Sequence, residues 1–122
     1  MNKEGLTYLN WELFDSPDKE GSGYMFMERE PVYILDTLIH MLKCKVNIIL
    51  GYASKEYADN IRLGTKDSHR LGKAIRLRVV GNKKRLKIVK TLIELGVTRI
   101  AVSRDTVYFD TDTFKPDEFI LW

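Results

Sequence analysis

His69, Asp110 and Asp112 have side chains of the types that hold a metal ion or move a proton, and together they could form a new metal site. An imidazole nitrogen and two carboxylates form a donor set that zinc accepts. Two carboxylates so close together on one strand are, however, more often solvated or paired with a cation. A new metal site at these residues is therefore the weaker hypothesis, and we expect His69 to be a loop histidine with an ordinary hydrogen bond.

The candidate nucleophiles lack the neighbours that would activate them. Cys44 is the only cysteine, and no matched pattern of histidine and asparagine accompanies it. Ser68 lies outside any G-x-S-x-G turn of the kind that presents a hydrolase serine. A single thiol also gives no disulfide framework and no four-thiolate zinc site. We therefore expect neither serine nor cysteine catalysis.

Length and composition fit one globular domain. The chain has 122 residues, of which 44% are hydrophobic and 30% charged, which is enough for a single core in a domain spanning residues 1–122. Its apolar stretches are far shorter than the roughly 20 residues that cross a bilayer. The first residues lack the basic start, apolar centre and cleavage site of a signal peptide. We expect no membrane contact and a cytoplasmic origin, or delivery by a route other than ordinary secretion.

The apolar spacing predicts a small α+β domain with an antiparallel sheet and helices packed on one face. The helix that begins near Pro31 should bury one apolar stripe. The next long helix, with Asn82 as its N-cap and Gly96 as its C-terminal stop, should bury another. The first predicted helix begins near Pro31, and its buried stripe is Leu35, Leu38, Ile39 and Leu42. A buried strand over 46–52, a short helix over 55–62 and a strand over 73–80 follow it. The second long helix buries Leu86, Val89, Leu92 and Ile93, and short strands over 98–103 and 106–110 come after it.

The alternation within two of these strands fixes which side chains point away from the core. Arg76 alternates with the apolar residues Ile75 and Leu77, and Tyr108 alternates with Val107 and Phe109 in the same way. Successive side chains of a strand point to opposite faces of the sheet. Arg76 and Tyr108 are therefore predicted to lie on the sheet face opposite the core.

Charge is unevenly distributed along the chain. Residues 70–90 contain nine basic residues and no acidic one, whereas acids gather in the first thirty residues and again over 105–118. This asymmetry favours an acidic partner protein or contacts between copies of the chain, although a solvated helix face remains an equal interpretation. Nucleic acid is disfavoured, because no stacking aromatic residue or nucleic-acid motif accompanies the charges. The possible contact surface is Arg70, Lys73, Arg76, Arg78, Lys83, Lys84, Arg85 and Lys87.

Several phrases of the sequence then occur in a familiar order. FDSPD at 14–18 is followed by a GSG, and a Gly51-Tyr52 turn follows the central strand. The signature S-x-H-x-x-G-x-A-x-D is matched by His69, Gly72 and Ala74, with Ser68 beside them. Two further phrases follow in the chain, KIVKTLIELGVTRIAV and the closing Ile120-Leu121-Trp122. In these phrases the chain resembles the zinc D-Ala-D-Ala carboxypeptidase family, in particular its small phage-type members, which share a fold with the hedgehog signalling domain.

The departures from that family concern its metal site. The resemblance implies three zinc ligands, at the positions of His69, Arg76 and Tyr108, with Asp110 preserved beside the last. The arginine of the family's Gly-Tyr-Arg turn, which helps to bind substrate, is replaced by Ala53. A catalytic zinc needs three protein ligands and an open position, and arginine is a permanent cation that repels the metal. The expectation is a degenerate peptidase-like domain that is not an enzyme, with no metal and no cofactor, in which Arg76 pairs with Asp110.

The resemblance also implies a phage origin. We expect a non-catalytic domain reused as a structural or protein-binding component of a virion, in the tail, neck or hub, located in the virion or the host cytoplasm. Its partners would be other virion proteins or copies of itself. One alternative is a module that binds peptidoglycan peptide without cleaving it, and another is an active metallo-hydrolase with a rebuilt zinc site.

Overall fold

A five-stranded sheet forms the centre of the computed structural model, which describes residues 5–121. The strands are β1 (Asn47–Leu50), β2 (Ala74–Arg78), β3 (Arg99–Val102), β4 (Thr106–Asp110) and β5 (Glu118–Leu121). Their order in the sheet is β1-β2-β4-β3-β5. The first four form antiparallel neighbours, whereas β5 runs parallel to β3. The sheet is therefore mixed, and the prediction of an antiparallel sheet holds for four of its strands.

Within the described residues, the sheet is accompanied by four α-helices and one turn of 3-10 helix. The turn is Trp11–Phe14, and the helices are α1 (Ser22–Phe26), α2 (Arg29–Leu42), α3 (Lys55–Asn60) and α4 (Asn82–Glu94). Pro31 lies in the first turn of α2, where its missing N–H costs no hydrogen bond. Gly96, with φ of +90°, follows the end of α4 as expected. Asn82 is the first helical residue, not the predicted N-cap, since Gly81 occupies that position.

The core lies between one sheet face and helices α2 and α4. The sheet contributes alternate buried residues such as Ile75, Leu77 and Phe109, and the helices contribute Leu38 and Leu92, among others. Each large aliphatic or aromatic side chain that is fully removed from water contributes about 1.5–3 kcal/mol. Helix packing on one sheet face confirms the α+β class predicted from the sequence.

Three features of the fold differ from the prediction. Strand β1 is exposed or half-buried along its length, because it is an edge strand and not a central one. Helix α4 buries Ile88 and Val89, whereas Leu86 and Ile93 are 61% and 55% exposed. Strand β5 and helix α1 were not predicted as separate elements.

Side-chain carboxylates organise the segments that carry no long helix or strand. Asp36, buried in the middle of α2, accepts hydrogen bonds from the backbone N–H groups of Thr7, Tyr8 and Leu9 at 2.8–3.1 Å. Asp15 accepts from the backbone N–H groups of Gly21 and Gly23 at the start of α1. The bonds to Asp36 fix the N-terminal segment on α2.

None of the helices within residues 5–121 has the length and apolarity to cross a membrane. The opening residues that were compared with a signal peptide lie partly outside the described residues. Trp122 lies entirely outside them.

Candidate functional site

Arg76 and Tyr108 face each other directly across neighbouring strands. They are register partners in the antiparallel pair β2–β4, and both are half-buried on the sheet face opposite the core. The guanidinium carbon of Arg76 lies 5.8 Å from the centre of the Tyr108 ring, a cation–π arrangement. The predicted orientation of these two side chains is therefore confirmed.

His69 packs against the tyrosine of this pair. Its ring centre lies 5.5 Å from that of Tyr108, with the two rings tilted by 68°. The imidazole is buried, and Nδ1 donates to the carbonyl oxygen of Gly51 at 2.9 Å, because a carbonyl can only accept. This assignment leaves Nε2 as the unprotonated nitrogen. Within residues 5–121, the buried Nε2 has no hydrogen-bond partner.

The surroundings of His69 favour its neutral form. Burial lowers the pKa of the imidazole below its ordinary value, and the nearby charge of Arg76 lowers it further. The bond to Gly51 and the carboxylates of Asp67 and Asp110 oppose this effect without reversing it. His69 therefore has the ordinary hydrogen bond expected of a loop histidine, together with a buried and unused lone pair.

Both carboxylate oxygens of Asp110 are bonded to other residues. Its Oδ1 pairs with Nε of Arg99 at 2.8 Å and accepts from the backbone N–H of Asp112 at 3.0 Å. Its Oδ2 accepts a hydrogen bond from the hydroxyl of Tyr108. Burial and this bond to Asp110 raise the pKa of Tyr108 well above its ordinary value. The expected pair between Arg76 and Asp110 is wrong. On the β2 side Ala74 lies opposite Asp110 and Arg76 lies opposite Tyr108, whereas on the β3 side Arg99 lies opposite Asp110 and pairs with it.

Asp112 belongs to a separate cluster. Its Oδ2 accepts from Ser68 Oγ at 3.0 Å and pairs with Lys115 Nζ at the same distance. Lys115 also donates to Ser68 Oγ at 2.7 Å. Burial raises the pKa of Asp112, but the hydrogen bonds from Lys115 and Ser68 outweigh it and leave the pKa below its ordinary value. Both predicted carboxylates are thus salt-bridged, as the simpler interpretation required.

The residues present do not fit a catalytic zinc ion. Of the three positions that the resemblance would assign to zinc ligands, only His69 has a side chain that binds metals, while Arg76 brings a fixed positive charge. The protonated hydroxyl of Tyr108 donates to Asp110. Its raised pKa disfavours formation of the phenolate, which is the form that would bind a metal. Across residues 5–121, no three histidine, cysteine, aspartate or glutamate residues are placed to hold a metal together.

The predicted basic contact surface is divided by the fold. Arg76 lies over Tyr108, and Lys73 lies over the ring of Phe114 at 5.0 Å. Arg85 is held by its bonds to Asn82 and to the carbonyl of Arg104. Arg70 is half-buried and Arg78 is exposed. The remaining three line a separate groove, here called the basic groove, which is formed by Leu42, Cys44, Lys83, Lys84 and Lys87.

A second groove, which the sequence analysis did not predict, is lined by four acidic side chains. This acidic groove has a volume of about 200 Å³. Its carboxylates are Asp110 and Asp112, which are paired with Arg99 and Lys115, and Glu30 and Asp117, which are exposed. No sequence pattern signalled this groove, because Glu30 and Asp117 lie 87 positions apart in the chain.

The chain matches no model of a protein family and no curated protein.

Proposed function

We propose that this chain is a non-catalytic domain with a hedgehog-like, D-Ala-D-Ala-peptidase-like fold, and that it serves as a structural or protein-binding component of a phage virion. The ordered sequence phrases from FDSPD to the closing strand support the family part of this proposal. The α+β architecture, with the relevant strands adjacent in one sheet, is compatible with it.

The pairing of Arg76 with Tyr108 is the observation that carries the proposal. These residues occupy two of the three positions that bear zinc ligands in the resembled family. They pack against each other, and Tyr108 packs against His69. A guanidinium charge at the centre of the former site disfavours a divalent cation at any accessible pH. The tyrosine hydroxyl is bonded to Asp110, so both replacements have their own structural partners.

Exposed apolar residues at one sheet edge support a binding role. Strand β5 is an edge strand, and all four of its residues are exposed, including Phe119 and Leu121. Such an edge presents unpaired backbone groups beside apolar side chains, which soluble proteins usually protect. A neighbouring protein that covers this edge would account for its composition.

Zinc content is the test of the non-catalytic part. The untagged chain should purify with far less than one zinc per molecule, and the double variant Arg76→Asp/Tyr108→His should gain about one. Adding His69→Ala to that double variant should remove the gained metal. Circular dichroism would establish that each variant is folded. One zinc per wild-type chain that is lost on His69→Ala would overturn the proposal.

The virion part is tested by quantitative mass spectrometry of purified particles from the source of this gene. A fixed, symmetric copy number relative to the portal supports a structural component. Absence from particles, with presence in infected cells, would refute it. Retention of the chain on purified peptidoglycan would instead assign the peptide-binding role.

A further inference from the structure

The two charged grooves lie at opposite ends of the same helix pair. The basic groove joins Leu42, at the end of α2, to Lys83 and Lys87, near the start of α4. The acidic groove joins Glu30, at the start of α2, to Leu95, just after α4. The helices therefore run antiparallel, and the grooves are separated by about 12 Å along α4, given a rise of about 1.5 Å per residue from Lys87 to Leu95.

The basic groove has charge that nothing in the described chain neutralises. Lys83, Lys84 and Lys87 are exposed, and no carboxylate lines the groove. Lys84 Nζ donates only to the carbonyl oxygen of Lys45. Lys83 and Lys84 lie in the first turn of α4, which contains no acidic residue. Cations there are disfavoured by the helix dipole, so these lysines do not serve the stability of their own helix.

The acidic groove has the complementary property. Its two cations are already paired, Arg99 with Asp110 and Lys115 with Asp112. The charges left over are the exposed carboxylates of Glu30 and Asp117, which form no salt bridge within residues 5–121. Both grooves also have apolar walls, provided by Leu42 in the basic groove and by Ile34, Leu95 and Val97 in the acidic one.

We propose that copies of this chain associate head to tail, with the basic groove of one copy on the acidic groove of the next. The occupant is a second copy because the chain itself supplies both complementary surfaces, at opposite ends of one rigid helix pair. Such an interface is heterologous, so it builds a ring or a filament and not a closed two-fold dimer. This inference rests on the proposed structural role and specifies the contact that such a role would use.

Analytical ultracentrifugation of the full chain tests the association. In about 20 mM salt the average mass should rise with protein concentration, and the association should weaken by on the order of tenfold at about 0.5 M salt, where charges more than about 4 Å apart are screened. A wild-type chain that stays monomeric at every concentration and salt would overturn the proposal.

Paired charge reversals separate this contact from other modes of association. Lys83→Glu/Lys87→Glu makes both grooves acidic, and Glu30→Lys/Asp117→Lys makes both basic, so each variant alone should remain monomeric. A mixture of the two should associate again, because opposite charges meet at every contact. Lys90→Glu and Glu20→Lys, which alter exposed charges outside the grooves, should associate like the wild type.

Several outcomes of this mixing experiment contradict the proposal. Self-association of either reversed variant at the wild-type level would place the contact elsewhere, for example on β5. A mixture that stays monomeric would assign the lysines to an acidic partner other than this chain. If the mixture does not associate but the protein is present in particles at a fixed copy number, the proposed virion role stands and only the proposed contact between copies is rejected.

Discussion

The hydroxyl of Tyr108 donates to the carboxylate of Asp110, two residues further along the same strand and on the same face of the sheet. Asp110 in turn pairs with Arg99 on the neighbouring strand β3. One buried carboxylate thus links the phenol of Tyr108 on β4 to a guanidinium on β3.

Removing the tyrosine hydroxyl should lower the free energy of unfolding. Tyr108→Phe keeps the ring over which Arg76 lies and deletes the hydroxyl that bonds to Asp110, a bond to a charged group that contributes about 1.5–3 kcal/mol. Urea denaturation would measure this loss. Tyr57→Phe is the matched control, since the Tyr57 hydroxyl makes no hydrogen bond within the described residues, and it should change stability by less than about 0.5 kcal/mol. Equal effects of the two changes would contradict the assigned role of Tyr108.

Stability should fall as the pH is lowered through the ordinary pKa of histidine, near 6.5. The folded-state pKa of His69 is lowered, chiefly by burial, so the unfolded chain takes up its proton first and is favoured by acid. The full stability is present above the unfolded pKa, and the loss is complete below the folded one. Urea midpoints measured between pH 8 and pH 5 would record it.

One histidine variant checks the origin of that pH dependence. His69→Gln should flatten the profile between pH 8 and pH 5, because it removes the imidazole whose pKa burial lowers. A profile that survives in the His69 variant would assign the effect to another group.

Gly72 should be the glycine least tolerant of alanine. Its φ is +72°, and a Cβ there would lie 2.0 Å from the carbonyl oxygen of Phe26. The overlap with backbone adds to the ordinary cost of the left-handed conformation, so Gly72→Ala should cost more than about 4 kcal/mol or prevent folding. Gly96→Ala shares the positive φ but meets open space, and should cost only about 1–2 kcal/mol. Comparable thermal midpoints for the two variants would contradict this interpretation.

Asp36 should be essential for the attachment of the N-terminal segment. Asp36→Ala leaves three backbone N–H groups without their acceptor and should cost about 2–4 kcal/mol in urea denaturation. Asp36→Asn keeps an oxygen for the two N–H groups that share Oδ1, those of Tyr8 and Leu9, and should cost clearly less. If alanine were no worse than asparagine, these bonds would contribute little.

Local patterns were sufficient to predict the strands that carry the candidate site. The alternation around Ile75 and Phe109 placed Arg76 and Tyr108 on one face, because only the opposite face could join the core. The partner of Asp110 could not be predicted in this way. It is set by the register of β3 against β4, which places Arg99, not Arg76, directly opposite.

Other errors have the same physical origin in tertiary contacts. The run Ile48–Leu50 is apolar enough for a central strand, but its place at the sheet edge follows from the strand order, which no local pattern encodes. In α4, Leu86 and Ile93 have helical spacing with Val89, yet the helix turns Ile88 and Val89 toward the sheet and leaves the other two exposed. Strand β5 exists through its pairing with β3 and has no alternation of its own.

Strand β5 is weakly attached to the sheet, so it should be the first strand to unfold. Among the described strands, β5 pairs with β3 alone, and its exposed side chains add little burial. The other four strands form a continuous antiparallel unit without it. Its amides should therefore exchange with solvent through a local opening of low free energy, while those of β2 and β4 exchange only when the whole domain unfolds.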